Sequence, residues 1–315
     1  MPSNQSPLGA RPARFRRERL LIVGCGDVGV RVARALGAGQ GRPRLNVMAL
    51  TSSPARVEVL RQLGITPLVG SLDQAQTVRR LSGLATRVIH LAPPPGQDTR
   101  MQAAQDPRTR TLVRTLARRL LPTSFVYGST SGVYGDCQAE LATESRAINA
   151  STERAKRRID AETWVRFLGR SRGVRSAILR IPGIYAPNRE GGTPRDRLLR
   201  GTPVLQSVDD VYTNHIHADD LARACLAALW RGRPQRIYNV NDDSSLKMGD
   251  YFDLAADLYG LPRPPRISRA KASEQLSPML LSFMSESRRM DNTRLKQELK
   301  LALNYPTVLQ GLTRR

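Results

Sequence analysis

The feature that most constrains this chain lies near its start, where the apolar run Leu20-Leu21-Ile22-Val23 stops at Gly24-Cys25-Gly26-Asp27-Val28-Gly29. A short apolar run without polar alternation reads as a strand buried on both faces. After it, Val28, Val32 and Leu36 recur every four residues with Arg31 and Arg34 between them, the spacing of one helix face. The glycines then have separate tasks. Gly24 takes a tight turn, Gly26 lets backbone approach an anion, and Gly29 lets the helix lie close on the strand, while free N–H groups at the helix start face the anion. Alone the G-x-G-x-x-G pattern is weak; between a strand and a helix it is strong. The competing reading is a plain tight turn.

The alternation continues. Strands are expected at 45–50, 67–70, 87–92, 124–127, 176–181 and 236–240, and helices at 55–63, 74–81, 109–121, 151–168 and 219–230. This order predicts an α/β fold: a doubly wound parallel sheet of Rossmann type with a smaller C-terminal substrate lobe. Residues 1–18, with Pro2, Pro7, Gly9, Pro12 and Arg16-Arg17, read as a disordered basic tail. Residues 19–181 read as the dinucleotide-binding domain and 182–315 as mainly the substrate lobe, with segments around 212–240 returning to the first domain.

Composition narrows the function. Over 315 residues, 40% are hydrophobic and 24% charged, which excludes wholesale disorder. No run approaches the ~18 apolar residues of a membrane span, and no signal-peptide stretch opens the chain, so a cytoplasmic protein without membrane contact is expected. Cys25, Cys137 and Cys225 are too scattered for a disulfide framework, and no metal-ligand spacing occurs, so no metal is expected. The net charge is +23, from 45 arginines and five lysines spread along the whole chain. Aromatic residues do not interleave with the basic ones, so nucleic acid is not the expected partner, and a small anionic ligand fits the charge equally well.

The end of the second strand, Leu50-Thr51-Ser52-Ser53-Pro54-Ala55-Arg56, has no acid before Glu58. An NAD site places Asp or Glu about 20 residues beyond the glycines, on the ribose hydroxyls. The hydroxyls of Thr51 and Ser52 with the charge of Arg56 suit a 2′-phosphate instead, which favours NADP over NAD.

With these residues in place the chain resembles the extended and atypical short-chain dehydrogenases/reductases of the NAD-dependent epimerase/dehydratase family. The motifs are the glycine turn, Val88-Ile89-His90-Leu91-Ala92, Gly128-Ser129-Thr130-Ser131-Gly132-Val133-Tyr134-Gly135, Leu179-Arg180-Ile181-Pro182-Gly183-Ile184-Tyr185-Ala186-Pro187, and Asn214-His215-Ile216-His217-Ala218-Asp219-Asp220. Ile237-Tyr238-Asn239-Val240 and Asn292-Thr293-Arg294-Leu295 extend the likeness to about residue 312. The resemblance implies an NAD(P)-dependent oxidoreductase or epimerase acting on a carbonyl or alcohol, such as a nucleotide-sugar or aldehyde. It implies a cofactor site of Gly24, Cys25, Gly26, Asp27, Val28, Gly29, Thr51, Ser52, Arg56, Leu91, Ala92, Pro93, Ser129, Lys156 and Pro182, and a homodimer formed by two-helix packing. Thr130 stands at the catalytic Ser/Thr position, and Lys156 at the lysine of the family's Tyr-x-x-x-Lys.

One departure bears on the chemistry: four residues before Lys156 stands Thr152, not tyrosine. A phenol of pKa ~10 can be drawn towards neutrality by a lysine and the nicotinamide, whereas an aliphatic hydroxyl cannot. Tyr134 is the expected substitute, with Tyr185 second. The catalytic set is therefore Thr130, Tyr134 and Lys156; the alternative is a dinucleotide-binding sensor or scaffold that has lost standard catalysis. His90 reads as a core histidine, Asp219-Asp220 as caps of the following helix, and Arg189, Arg195, Arg197 and Arg200 as acceptors for a phosphorylated substrate.

Overall fold

Seven parallel strands form the central sheet: β1 (Glu18–Val23), β2 (Leu45–Thr51), β3 (Thr66–Val69), β4 (Arg87–His90), β5 (Ser124–Thr130), β6 (Arg175–Ile181) and β7 (Arg236–Asn239), in the order β3-β2-β1-β4-β5-β6-β7. The structure, a computed structural model, describes residues 18–37, 45–96 and 104–313. The expected basic tail lies outside the described residues except for Glu18, which opens β1.

The absence of polar alternation in β1 has a direct cause. Leu20 and Ile22 enter one core with α1 (Asp27–Ala35) and α7 (Ala218–Arg231), while Leu21 and Val23 enter the other with α4 (Pro107–Leu116) and α5 (Glu153–Arg172). All four are fully buried, as a sheet covered on both faces requires. The chain starts in the middle of the sheet, winds outward through α1 and α2 (Val57–Gln62) to β3, then crosses by α3 (Ala75–Arg79) to β4 and winds the other way. The reversal lies between β1 and β4, the place where such sheets open a ligand crevice. Val23 pairs with His90 there, immediately before Gly24.

Helix ends follow local chemistry more closely than apolar spacing. α4 opens earlier than expected, on an Asp106 side chain that accepts from the Thr109 N–H at 3.1 Å, with Pro107 in its first turn. It stops at Leu116, and Leu120 is exposed. α5 opens at Glu153 behind Thr152 and closes on Gly173 at φ +67°. α7 is capped by His217, whose Nδ1 accepts from the Asp219 N–H at 3.2 Å, and not by the aspartates expected in that role.

Beyond Ile181 short strands build the lobe: Gly183–Tyr185 pairs with His215–His217, and Val204–Leu205 with Arg266–Ile267. Tyr185, Leu198, Val204, Tyr251 and Phe252 belong to its separate core, with α6 (Arg195–Leu199) packed on α8 (Met248–Tyr259). α7 and β7 return to the sheet, α7 against α1 and β7 beside β6.

A buried ionic group ties β5, β6 and α5 together. Glu162 is fully buried and accepts from Ser129 Oγ at 2.7 Å, Arg180 Nε at 3.1 Å and Nη2 at 2.9 Å, and Arg166 Nη2 at 2.9 Å. Removing one member leaves an uncompensated buried charge, which typically costs about 3–5 kcal/mol. Glu162→Gln is therefore expected to lower stability by about that amount, read as a shift in the urea unfolding midpoint at constant slope.

Candidate active site

The glycine turn has the geometry its sequence requires. Gly24 sits at φ +83°, and a Cβ there would overlap the backbone N of Ala92. Gly26 has open space around its Cβ position, and a Cβ on Gly29 would stand 3.2 Å from both Cys25 Sγ and Ile22 Cγ2. The side chains of Cys25 and Val28 lie in the core, so only their backbone can meet a ligand. Burial pushes the Cys25 thiol up to about 11, with the nearby Arg56 charge pulling the other way. At the end of β2, Ser52 is exposed, whereas Thr51 Oγ1 is engaged with the backbone N–H and carbonyl of Ser53, both at 3.3 Å.

The backbone N–H groups of Leu91 and Ala92 donate to Val23 O at 2.7 and 3.1 Å, folding the end of β4 over the turn. The Pro93 carbonyl accepts from Arg108 at 3.2 Å. Across the sheet Thr130 pairs with Ile181, the residue before Pro182. Thr130 is half-buried, and its Oγ1 accepts from the Gly132 N–H at 3.2 Å. A Cβ on Gly132 would lie 3.6 Å from both Thr130 Oγ1 and Ala155 Cβ, so the first turn of α5 abuts the end of β5.

Three expected site residues are placed differently. The Ser129 hydroxyl is committed to Glu162 and points into the sheet–α5 interface, because successive strand residues face opposite sides. Tyr134 is buried under the Arg180 guanidinium, which lies 4.7 Å from its ring centroid, and its hydroxyl donates to Asn239 Oδ1 at 2.6 Å. Burial raises its pKa, and the proton it would need to transfer is held by an interior acceptor. Tyr185 belongs to the lobe core and donates to the Thr307 carbonyl at 3.3 Å. Both hydroxyls are thus bonded to interior acceptors.

The first turn of α5 shows how Thr152 is used. Thr152 Oγ1 accepts from the Ala155 N–H at 3.2 Å as the helix N-cap, and Lys156 Nζ bonds Glu153 Oε1 at 2.8 Å, half-exposed. Ser151 adjoins them and donates to Glu286 Oε1 at 2.7 Å, while Arg288 binds the other oxygen at 2.7 Å and the Gly135 carbonyl at 2.6 Å. This lobe contact, 135 residues from Ser151, leaves no local signal in the sequence. The four lobe arginines do not act as one group. Arg189 reaches Asp27 at 2.9 Å, whereas Arg197 lies over the Phe252 ring at 4.3 Å. Arg195 and Arg200 are exposed at either end of the same short helix. His90 is fully buried, as expected, with Nε2 2.9 Å from Thr109 Oγ1.

Residues 20–241 match the NAD dependent epimerase/dehydratase family. The chain belongs to that family. Among solved structures, a functionally unknown conserved protein from Silicibacter pomeroyi DSS is similar at 29% identity and TM-score 0.76, over 94% of this chain and 96% of that one. UDP-glucose 4-epimerase from Thermotoga maritima, solved with UDP-glucose, shares 18% identity at TM-score 0.75, over 93% and 96% of the two chains. UDP-glucuronic acid 4-epimerase from Bacillus cereus, in complex with NAD, shares 16% at TM-score 0.72 with the same coverage. No curated protein matches the sequence significantly. No helix among the described residues is long and apolar enough to cross a membrane, and these residues contain no metal-binding cluster.

Buried titratable groups in this region give stability an unusual pH profile. Burial pushes Asp242, which follows β7 and joins the lobe, up to about 8, and lowers His215 to about 4 and His90 to about 3. Between pH 6.5 and 8 the folded chain holds the Asp242 proton and the unfolded chain does not, so stability falls as pH rises, by at most about 1.4 kcal/mol per pH unit. As pH falls below 6.5, unfolded histidines take protons that folded His90 and His215 refuse, which lowers stability in the other direction. Thermal melts of Asp242→Asn are expected to lose the decline between pH 6.5 and 8; an unchanged decline refutes the assignment.

Proposed function

We propose that the protein binds NADP(H) at the glycine turn and acts as an oxidoreductase or epimerase on a small anionic carbonyl or alcohol compound, such as a phosphorylated sugar or nucleotide-sugar. The observation that carries this reading is the cradle: a glycine in left-handed conformation pressed on Ala92, and open space at Gly26, where a Cβ would meet nothing within 4 Å beyond its chain neighbours. Such a turn fits a pyrophosphate. Ser52 and Arg56, with no carboxylate beside them, favour the 2′-phosphate of NADP over NAD. Bound, the dinucleotide supplies the carbon that gives or takes hydride.

The chain's own residues divide the remaining work. The end of β4, Leu91-Ala92-Pro93, walls the crevice, and Pro182 walls it opposite. Thr130 orients the substrate oxygen, and Lys156, released from Glu153, binds the ribose. No side chain on this strand–helix edge supplies a phenolic proton, which forgoes a factor of ~10²–10⁴. Proton transfer then falls to substrate or solvent, and turnover is slow. In this reading residues 19–181 carry the cofactor and 182–315 mainly the substrate, in the cytoplasm. The groove between α4 and α5, where Phe167 is exposed beside Trp164, is the face for a second copy.

A second reading, a dinucleotide sensor or scaffold without turnover, is favoured by one observation: the Thr152 oxygen is spent on capping α5. Fluorescence titration at about 0.15 M salt, where loose charge attraction is screened, tests the cofactor. NADPH is expected to bind at least tenfold more tightly than NADH, about 1.4 kcal/mol, and Arg56→Ala to erase the preference. Preference for NADH overturns the choice of cofactor, and binding of neither overturns the site. Turnover assays with a panel of phosphorylated aldehydes and sugars separate the two readings. Measurable native activity sinks the scaffold, whereas activity that arises only in Thr152→Tyr supports it.

A further inference from the structure

Two arginines converge on the glycine turn, and their hydrogen bonding separates their roles. Arg31, on the second turn of α1, is nine-tenths buried, and each of its three guanidinium nitrogens has a protein acceptor. Its Nε donates to both Asp27 oxygens at 3.1 and 3.0 Å, its Nη1 to Asp219 at 2.5 Å and its Nη2 to Asn188 at 2.7 Å. Arg189 comes from the lobe. Its Nη1 donates to Asp27 Oδ2 at 2.9 Å, and its other N–H groups make no hydrogen bond among the described residues. Its side chain remains 28% exposed.

The loop that carries Arg189 is built to present it. Arg189 N–H donates to Ala186 O at 3.2 Å, Gly192 N–H to Arg189 O at 2.9 Å, and Ala186 N–H to Gly192 O at 3.1 Å. Gly191 takes φ +61°, and a Cβ on Gly192 would stand 2.6 Å from Ala186 O. Asn188, one residue earlier, is fastened to Arg31. A loop of the substrate lobe is thus latched to the first turn of the cofactor helix.

The charges explain why such a latch is needed. Asp27 puts a carboxylate at the first position of α1, beside the place a pyrophosphate takes. Burial works against its charge, but hydrogen bonds from Arg31 and Arg189 outweigh that and hold it below the usual carboxylate range. Left unbalanced, that carboxylate would repel a ligand phosphate. All three guanidinium nitrogens of Arg31 are engaged, by Asp27, Asp219 and Asn188, whereas Arg189 is bonded through Nη1 alone among the described residues and is the more exposed of the two, so Arg189 is the better placed to turn to a ligand.

We infer that Arg189 is a pyrophosphate ligand delivered by the substrate lobe, held at the glycine turn by Asp27 and turned onto the dinucleotide when it binds. The inference rests on the cofactor reading above and adds to it that the lobe senses the cofactor through one side chain. An arginine suits the task because its planar fork can serve a carboxylate and a phosphate at once.

The experiment measures dissociation constants for NADPH and NADH by fluorescence on the full-length wild type, Arg189→Ala, Arg189→Lys, Asp27→Asn and the Asp27→Asn/Arg189→Ala double variant, all matched in melting temperature. It also follows trypsin cleavage of the Arg189–Glu190 bond by mass spectrometry, with and without NADPH. Arg189→Ala is expected to weaken binding about tenfold or more, with the loss persisting in the Asp27→Asn background and Arg189→Lys recovering part of it. NADPH is expected to slow cleavage after Arg189 in the wild type. Equal affinity of Arg189→Ala and wild type overturns the inference. So does full recovery in the double variant, which would reduce Arg189 to balancing a carboxylate, or cleavage indifferent to NADPH. A wild type that binds neither dinucleotide is a separate result: it removes the cofactor reading itself and the inference with it.

Discussion

The cofactor end of this molecule depends on a backbone contact between the Gly24 turn and Ala92. β1 and β4 are neighbours at the reversal of the sheet, and Val23 O holds both Leu91 and Ala92 by their N–H groups. The two chain ends can approach this closely because Gly24 has no Cβ and adopts φ +83°. Any other residue would pay for the left-handed backbone and also displace the end of β4. Once the turn is closed, the direction of α1 follows. Its N-terminus faces the crevice, Gly29 seats its first turn on Ile22, and Arg31 ties it to the start of α7 through Asp219.

Most of this framework was legible in the residues. Apolar runs without alternation located the sheet, and the glycines located the crevice, because both signals come from steric demands that act within a few residues. What escaped was set by distant partners. Tyr134 looked available next to the site, yet its hydroxyl is taken by Asn239, 105 residues later. Ser129 and Thr130 are neighbours with similar side chains, and only the strand's alternation, together with Glu162 on a helix 33 residues away, decides which one faces the crevice. Helix ends escaped for another reason. The apolar stripe of α4 carries no mark of where the helix stops, and His217 is not a residue type from which a cap is expected.

The arginine content finds much of its explanation in use. Arg87 binds Glu18, the Ser124 hydroxyl and the Leu229 carbonyl, so that one side chain joins β1, β4, β5 and α7. Arg231 reaches the Leu299 carbonyl at 3.0 Å, and Arg294 reaches the Ile237 carbonyl at 3.0 Å. Arg158 joins the Tyr127 hydroxyl to the Gly128 carbonyl. A lysine, with one compact ammonium, could not bridge two or three acceptors in fixed directions. Among the described residues these arginines serve as cross-links between elements.

The two halves of the candidate site answer to different rules. The glycine-turn half is set first by backbone conformation at Gly24 and by the open space at Gly26, with the Arg189 side chain brought to it from the lobe. The other half lies at the first turn of α5, where Thr152 stands. Threonine there gives α5 an N-cap, worth about 0.5–2 kcal/mol, which tyrosine cannot provide. Lys156, with no phenol to polarise, is paired to Glu153 one turn away. Ser151 fastens the same turn to Glu286 of the lobe. The three contacts together stabilise the start of the helix that carries Lys156. The oxygen of Thr152 is thus committed to holding its own helix, and its neighbour Ser151 to holding the lobe, in a turn of the chain separate from the one at Gly24.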